Sequence, residues 1–126
     1  MTPLALLMHR DLQEISPKTT VRDAAKQMRD KRIGSLLVSD GMERIGIVSE
    51  TDFVRKALAE GMNPDTTPVE KIMSQPVIVI DIEKTAKEAN DLMATKGIRH
   101  LAVTDKGKIV GIISVRDLVI CFKNRL

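Results

Sequence analysis

An α/β chain in which one β-α-β-β-α unit is used twice is the architecture this sequence predicts, on three observations. Gly111-Ile112-Ile113-Ser114-Val115-Arg116-Asp117 repeats Gly46-Ile47-Val48-Ser49-Glu50-Thr51-Asp52, sixty-five positions earlier. The same frame carries Pro3 onto Pro68, Met8 onto Met73, Thr20 onto Thr85, Met28 onto Met93, Ile33 onto Ile98 and Asp40 onto Asp105 without a gap. Within each copy, apolar residues at helical spacing alternate with continuous β-branched runs.

Each copy opens with a short apolar turn, Leu4 to Met8 and Val69 to Met73, with Pro68 suited to a first helical position. An extended piece follows, clearest as Val77-Ile78-Val79-Ile80, whose unbroken apolar character predicts a strand covered on both faces. Val21, Ala24, Ala25 and Met28 then recur at helical spacing, as do Ala86, Ala89, Leu92 and Met93, so each copy has an amphipathic helix of about ten to twelve residues. Two strands come next, Ser35–Ser39 with Arg44–Ser49 and His100–Thr104 with Lys108–Ser114, joined by turns at Asp40-Gly41 and Lys106-Gly107. A closing helix begins near Glu50 and near Val115. The repeat places one unit at residues 1–60 and the other at 68–126. Between them, Gly61-Met62-Asn63-Pro64-Asp65 lies in a linker over 61–67.

The closing helices differ. Where the first has Arg55 and Lys56, the second has Ile120 and Cys121, so Leu118 to Phe122 is apolar around most of its circumference. A helix apolar all round is buried all round, either within the unit or at a homodimer contact through Leu118, Val119 and Phe122.

The two Gly-x-x-Ser-x-x-Asp stretches are the candidate functional motif. An apolar run ending at Ser, with Asp one helical turn on, sets a hydroxyl and a carboxylate on one face of a strand-to-helix junction. One reading is purely structural: Ser caps the helix and Asp offsets its dipole. The other is a ribose-phosphate site, in which Ser and the helix N-terminus hold phosphate and Asp accepts bonds from sugar hydroxyls.

The composition narrows the function classes. A chain of 126 residues with 43% hydrophobic and 29% charged content supports a single ordinary core. Phe53 and Phe122 are the only aromatics, so that core is aliphatic and the usual stacking platforms for single-stranded nucleic acid are missing. The formal charge is +3 and the pI near 9.2, but basic residues are interleaved with acidic ones, as in Arg29-Asp30-Lys31-Arg32. This mild excess suits a small phosphorylated ligand as well as it suits nucleic acid, whose binding would collapse steeply with salt. Cys121 is the only cysteine, which predicts a reducing compartment, and no apolar run reaches a membrane span, so a cytoplasmic protein is expected. No phosphate-cradling, zinc-helix or dinucleotide motif is present, and His9 and His100 are the only histidines, so neither enzymatic activity nor a metal is expected.

In its doubled unit, through Val69-Glu70-Lys71-Ile72-Met73, Gly97-Ile98-Arg99-His100-Leu101-Ala102-Val103 and the two Gly-x-x-Ser-x-x-Asp stretches, the chain resembles the cystathionine-β-synthase (CBS) domain family in its paired form. The resemblance implies two pseudo-twofold-related units packed through their sheets into a disc, with clefts for adenosine-containing ligands such as AMP, ADP, ATP or S-adenosylmethionine. It assigns Asp117 to ribose, Ser114 to phosphate, Arg99, His100 and Arg116 to phosphate charge, Thr19 from the first unit to the sugar or base, and Ile33 and Ile112 to the adenine faces. A weaker second site keeps Asp52 and Ser49, but Gly34 and Ser35 stand where Arg99 and His100 stand, and Lys84 replaces Thr19. The proline that often follows the Leu of the second strand is absent, with Leu37 and Ala102 in this chain. The implied role is a non-catalytic regulatory module that signals ligand occupancy to an enzyme or transporter. A ligand-independent dimerisation module and a nucleic-acid-binding protein are the alternatives.

Overall fold

In the computed structural model, which describes residues 2–123, the chain runs through α1 (Leu4–Leu7), β1 (Glu14–Ile15), α2 (Val21–Lys31), β2 (Ser35–Ser39), β3 (Arg44–Ser49) and α3 (Glu50–Asp52, continued as a π-helix over Phe53–Leu58). A 3₁₀ turn (Val69–Lys71), β4 (Val79–Asp81), α4 (Ala86–Lys96), β5 (His100–Asp105), β6 (Lys108–Ser114) and α5 (Val115–Lys123) complete it. Two compact units result. One is Gln13–Val77; the other joins the chain up to Leu12 with the chain from Ile78 onward.

Local chemistry explains the long helices. Thr20 and Thr85 accept hydrogen bonds from the N–H groups of Asp23 and Glu88, each satisfying one orphan donor of a first turn. Both helices end in a left-handed residue whose N–H returns to the last carbonyls, Gly97 in α4 but Arg32 in α2, at φ 56°. A left-handed side-chain-bearing residue is disfavoured by about 1 kcal/mol. Arg32→Gly is therefore expected to raise the melting temperature by a few degrees, read by thermal unfolding.

Each unit has a three-stranded mixed sheet, β1-β2-β3 in one and β4-β5-β6 in the other, with the first pair parallel and the second antiparallel. Lys106 and Gly107 both have positive φ, the requirement of the two-residue turn that pairs Asp105 with Lys108. Alternate residues of β5 and β6, Leu101, Val103 and Ile113, are fully buried in a core with Leu4, Ala89, Met93 and Leu118. The Gln13–Val77 unit buries Leu36, Val38 and Val48 with Val21, Ala24, Val69 and Ile72.

The compact units cut across the sequence repeats, whose residues 1 and 124–126 lie outside the described ones. The opening turn of each copy packs in the unit formed mainly by the other copy: Leu4 joins the core of α4 and α5, while Val69 and Ile72 join that of α2 and β2. The two dockings use equivalent bonds. His9 and Ile112 exchange N–H···O bonds in one unit (2.8 and 3.0 Å), and Ser74 and Ile47 do so in the other (2.9 and 3.0 Å). Gly111 and Gly46 make room for this approach. A Cβ on Gly111 would lie 2.5 Å from the Met8 sulfur, and one on Gly46 would lie 2.8 Å from the Ser74 carbonyl oxygen.

The stretch over 61–67 is bonded down along α2: Thr67 and Pro64 accept the N–H groups of Val21 and Arg22, and the Arg22 guanidinium pairs with Asp65. That pairing holds the Asp65 carboxyl below the usual carboxylate range. Pro68 is extended and precedes the 3₁₀ turn as its N-cap instead of opening a helix. The strand read at Val77–Ile80 is regular only over Val79–Asp81 and is an edge strand, bonded to β5 alone, with Val79 and Asp81 exposed around a buried Ile80.

The closing helix α5 is not buried all round. Leu118 and Cys121 face the core and Phe122 packs against it, whereas Val119 and Ile120 are 55% and 50% exposed. The four-residue turn α1 and helix α4 cover only one stripe of it, so its apolar sequence spans both a core face and a free one. Val54 and Leu58 are exposed on the other closing helix. Among the described residues no helix is long and apolar enough to cross a membrane.

Candidate functional site

The antiparallel register builds the site in the unit containing β5 and β6. His100 at the start of β5 pairs with Ser114 at the end of β6, and Ala102 pairs with Ile112, so all four lie on the sheet face opposite Leu101 and Ile113. The Val115 N–H donates to the Arg99 carbonyl (2.9 Å), fastening the start of α5 beside the start of β5. Arg99, His100, Ile112, Ser114, Arg116 and Asp117 are thereby gathered at one end of the sheet. Arg99 and Arg116 are exposed.

Ser114 and Asp117 hold one another. Asp117 Oδ2 accepts from the Ser114 N–H (2.8 Å) and from Ser114 Oγ (2.9 Å), while the Asp117 N–H donates to Ser114 Oγ (3.3 Å). This reciprocal cap satisfies the structural reading of the motif without a ligand. The other carboxylate oxygen, Oδ1, is 2.9 Å from His9 Nε2. The Asp117 side chain is 12% exposed and that of His9 69%.

The Gln13–Val77 unit repeats the frame with different chemistry. Ser35 pairs with Ser49, and the Glu50 N–H donates to the Gly34 carbonyl (3.1 Å). Asp52 Oδ2 accepts from the Ser49 N–H (2.9 Å) and lies 3.3 Å from Ser49 Oγ. Its Oδ1 is 3.0 Å from Lys56 Nζ, and that ammonium also donates to the Ile72 carbonyl (3.0 Å). The Asp52 side chain is 9% exposed and that of Lys56 45%.

Three further expected residues flank α2 and α4. Thr19 precedes the α2 cap and accepts the Val69 N–H at its carbonyl (2.8 Å). Ile33 follows α2 and packs half-buried on the core of the Gln13–Val77 unit. Lys84 is exposed before the α4 cap, in the unit of Asp117. Sequence reading did not single out His9 or Lys56. Lys56 was findable, lying four positions after Asp52 on one helix face. His9 was not, since 108 positions separate it from Asp117.

Capping accounts for Ser114 and Asp117 but not for Arg99, His100 and Arg116 beside them. Basic side chains around a strand-to-helix junction suit a phosphorylated ligand. Among the described residues, no group of three or more His, Cys, Asp or Glu could hold a metal ion.

Comparison with known proteins agrees with this architecture. The family model for the CBS domain matches residues 5–59 and again 69–124. The chain therefore belongs to the CBS domain family, as a tandem pair of its units. A protein of Methanopyrus kandleri is 41% identical over 112 residues, which are 87% of this chain but only 57% of that relative's length. A solved structure from Burkholderia ambifaria, provisionally classed as a signal-transduction protein with CBS domains, matches with a TM-score of 0.91 and 35% identity, over 96% of this chain and 93% of that one. A hexameric CBS-CP12 protein from bloom-forming cyanobacteria matches with a TM-score of 0.86 and 34% identity, over 94% of this chain and 70% of its own.

Proposed function

We propose that this CBS pair is a non-catalytic regulatory module whose ligand is an adenosine phosphate, with Asp117 on the ribose hydroxyls and Ser114, Arg99, His100 and Arg116 on the phosphate. The observation that carries the reading is the gathering of three basic side chains around one capped Ser-Asp pair, where the equivalent end of the other sheet has Gly34, Ser35 and Thr51. Thr19, Ile33 and Ile112 keep the sugar and base roles that the family resemblance assigns them. The same asymmetry makes Ser49 and Asp52, with Gly34, Ser35 and Lys84, the weaker set. S-adenosylmethionine ranks below AMP, ADP and ATP because it offers those basic side chains one carboxylate, beside an ammonium and a sulfonium, in place of a phosphate.

Signalling follows by population shift: a ligand with different affinity for two conformations of the module changes which surface meets a downstream enzyme or transporter. We place the module in the cytosol, and its partner copy on the α5 face. Leu118 belongs to the core, so Val119 and Ile120 replace it as the contact residues, with Phe122 beside them. The match to a hexameric CBS-CP12 protein supports self-association in this family.

That exposed face also favours a second reading, a dimerisation module indifferent to nucleotides. Calorimetric titration with AMP, ADP, ATP and S-adenosylmethionine at physiological salt, with sedimentation of the same samples, separates the two. Saturable binding at micromolar concentration, about −8 kcal/mol, is expected for the phosphorylated ligands. A dimer that takes up none of them establishes the second reading instead.

A further inference from the structure

We propose that the side chain on the outer oxygen of each capping carboxylate decides which unit can capture a ribose: His9 yields Asp117, and Lys56 keeps Asp52 closed. The proposal rests on the adenosine-phosphate reading and deepens it by naming two residues that set its stoichiometry.

Counting lone pairs leads there. A carboxylate offers about four acceptor positions. In both units Oδ2 has two of them facing the Ser N–H and hydroxyl, and Oδ1 has one facing a side-chain nitrogen. One position is left, whereas the two neighbouring hydroxyls of a ribose donate two hydrogen bonds. Bidentate capture therefore requires the outer side chain to leave.

The two outer side chains differ in what leaving breaks. His9 makes this one side-chain bond, is largely exposed, and has its backbone bridged to Ile112, so its ring can swing into water while the chain stays docked. Lys56 would lose Asp52 and the Ile72 carbonyl together, two bonds where His9 loses one. His9 is the gate that opens, and Lys56 the one that does not.

The test is calorimetric titration of the full chain with AMP and with 2′-deoxy-AMP, comparing wild type, His9→Ser, Lys56→Met and Lys56→Arg. Serine is what the repeat places opposite His9, at Ser74. Wild type and Lys56→Arg should each take one AMP per chain, and Lys56→Met a second, weaker equivalent. His9→Ser should bind AMP about two- to fivefold more tightly, the range of an exposed pair. It should leave 2′-deoxy-AMP unchanged, since one hydroxyl fits the position already free. Lys56→Gln, which keeps a donor for Ile72, serves if Lys56→Met does not fold. One equivalent in every variant with unaltered affinity for His9→Ser overturns the inference and leaves the ligand reading standing. No binding by wild type or any variant overturns both.

Discussion

Replacing Gly46 with alanine is expected to lower the melting temperature by roughly 5–15 °C, corresponding to about 1–3 kcal/mol of overpacking. The added Cβ would lie 2.8 Å from the Ser74 carbonyl oxygen and 2.9 Å from the Met73 sulfur, both closer than real Cβ atoms come. A methionine can rotate away, but the Ser74 carbonyl is fixed by the Ile47 N–H that it accepts. The substitution thus forces the docked segment off β3 and loosens Val69 and Ile72 in the core. Gly111 provides the internal control. Its nearest conflicts are with the Met8 side chain, at 2.5 and 2.8 Å, and the His9 carbonyl is farther, at 3.1 Å. Shortening Met8 to alanine should therefore recover part of the loss caused by Gly111→Ala. Shortening Met73 should recover little of that caused by Gly46→Ala. Thermal unfolding of the two single and two double variants checks this, and an unchanged melting temperature for Gly46→Ala would contradict the docking.

Asp117→Asn is expected to weaken AMP binding by roughly a hundredfold or more, because two charge-assisted bonds to the ribose become neutral ones or are lost. Asparagine keeps a carbonyl oxygen for the Ser114 N–H, so most of the α5 cap survives and the stability change stays below about 1 kcal/mol. Asp117→Ala would remove both functions at once and is the poorer test. Asp52→Asn should leave AMP binding unchanged, because Lys56 already occupies that carboxylate. Titration of the two asparagine variants, with melting curves for each, separates ligand contact from capping. Undiminished affinity in Asp117→Asn would remove Asp117 from the site.

Much of the site was legible because its parts are close in sequence. Ser114 and Asp117 are three positions apart, and the Ser35–Ser39, Arg44–Ser49 and Lys108–Ser114 strands appear where the β-branched runs lie. The pairing of His100 with Ser114 was not legible, because the turn that sets Asp105 against Lys108 would by itself bring His100 to Ile113, and a β-bulge between Val103 and Thr104 shifts the register by one residue. The apolar stretch Leu118 to Phe122 was less specific, since it suits burial within the unit and at a homodimer contact alike. Hydrophobicity shows what can be buried, but the surface available to cover α5 decides that Leu118 is and Val119 is not.

Interactions over a few residues set the doubled unit, with its caps, strands, turns and two Ser-Asp junctions. Which opening turn fills which core was decided only in three dimensions. The chain carries two similar plugs, Leu4 to Met8 and Val69 to Met73, and two similar sockets at Gly46 and Gly111. Pairing His9 with Ile112 and Ser74 with Ile47 closes loops of 103 and 27 positions, whereas the pairing within each copy would close two of 38. Loop entropy separates the two arrangements by only about 0.6 kcal/mol, because closure depends on the logarithm of length. Packing makes the choice, and with it His9 comes to lie on Asp117, an encounter that no local pattern encodes.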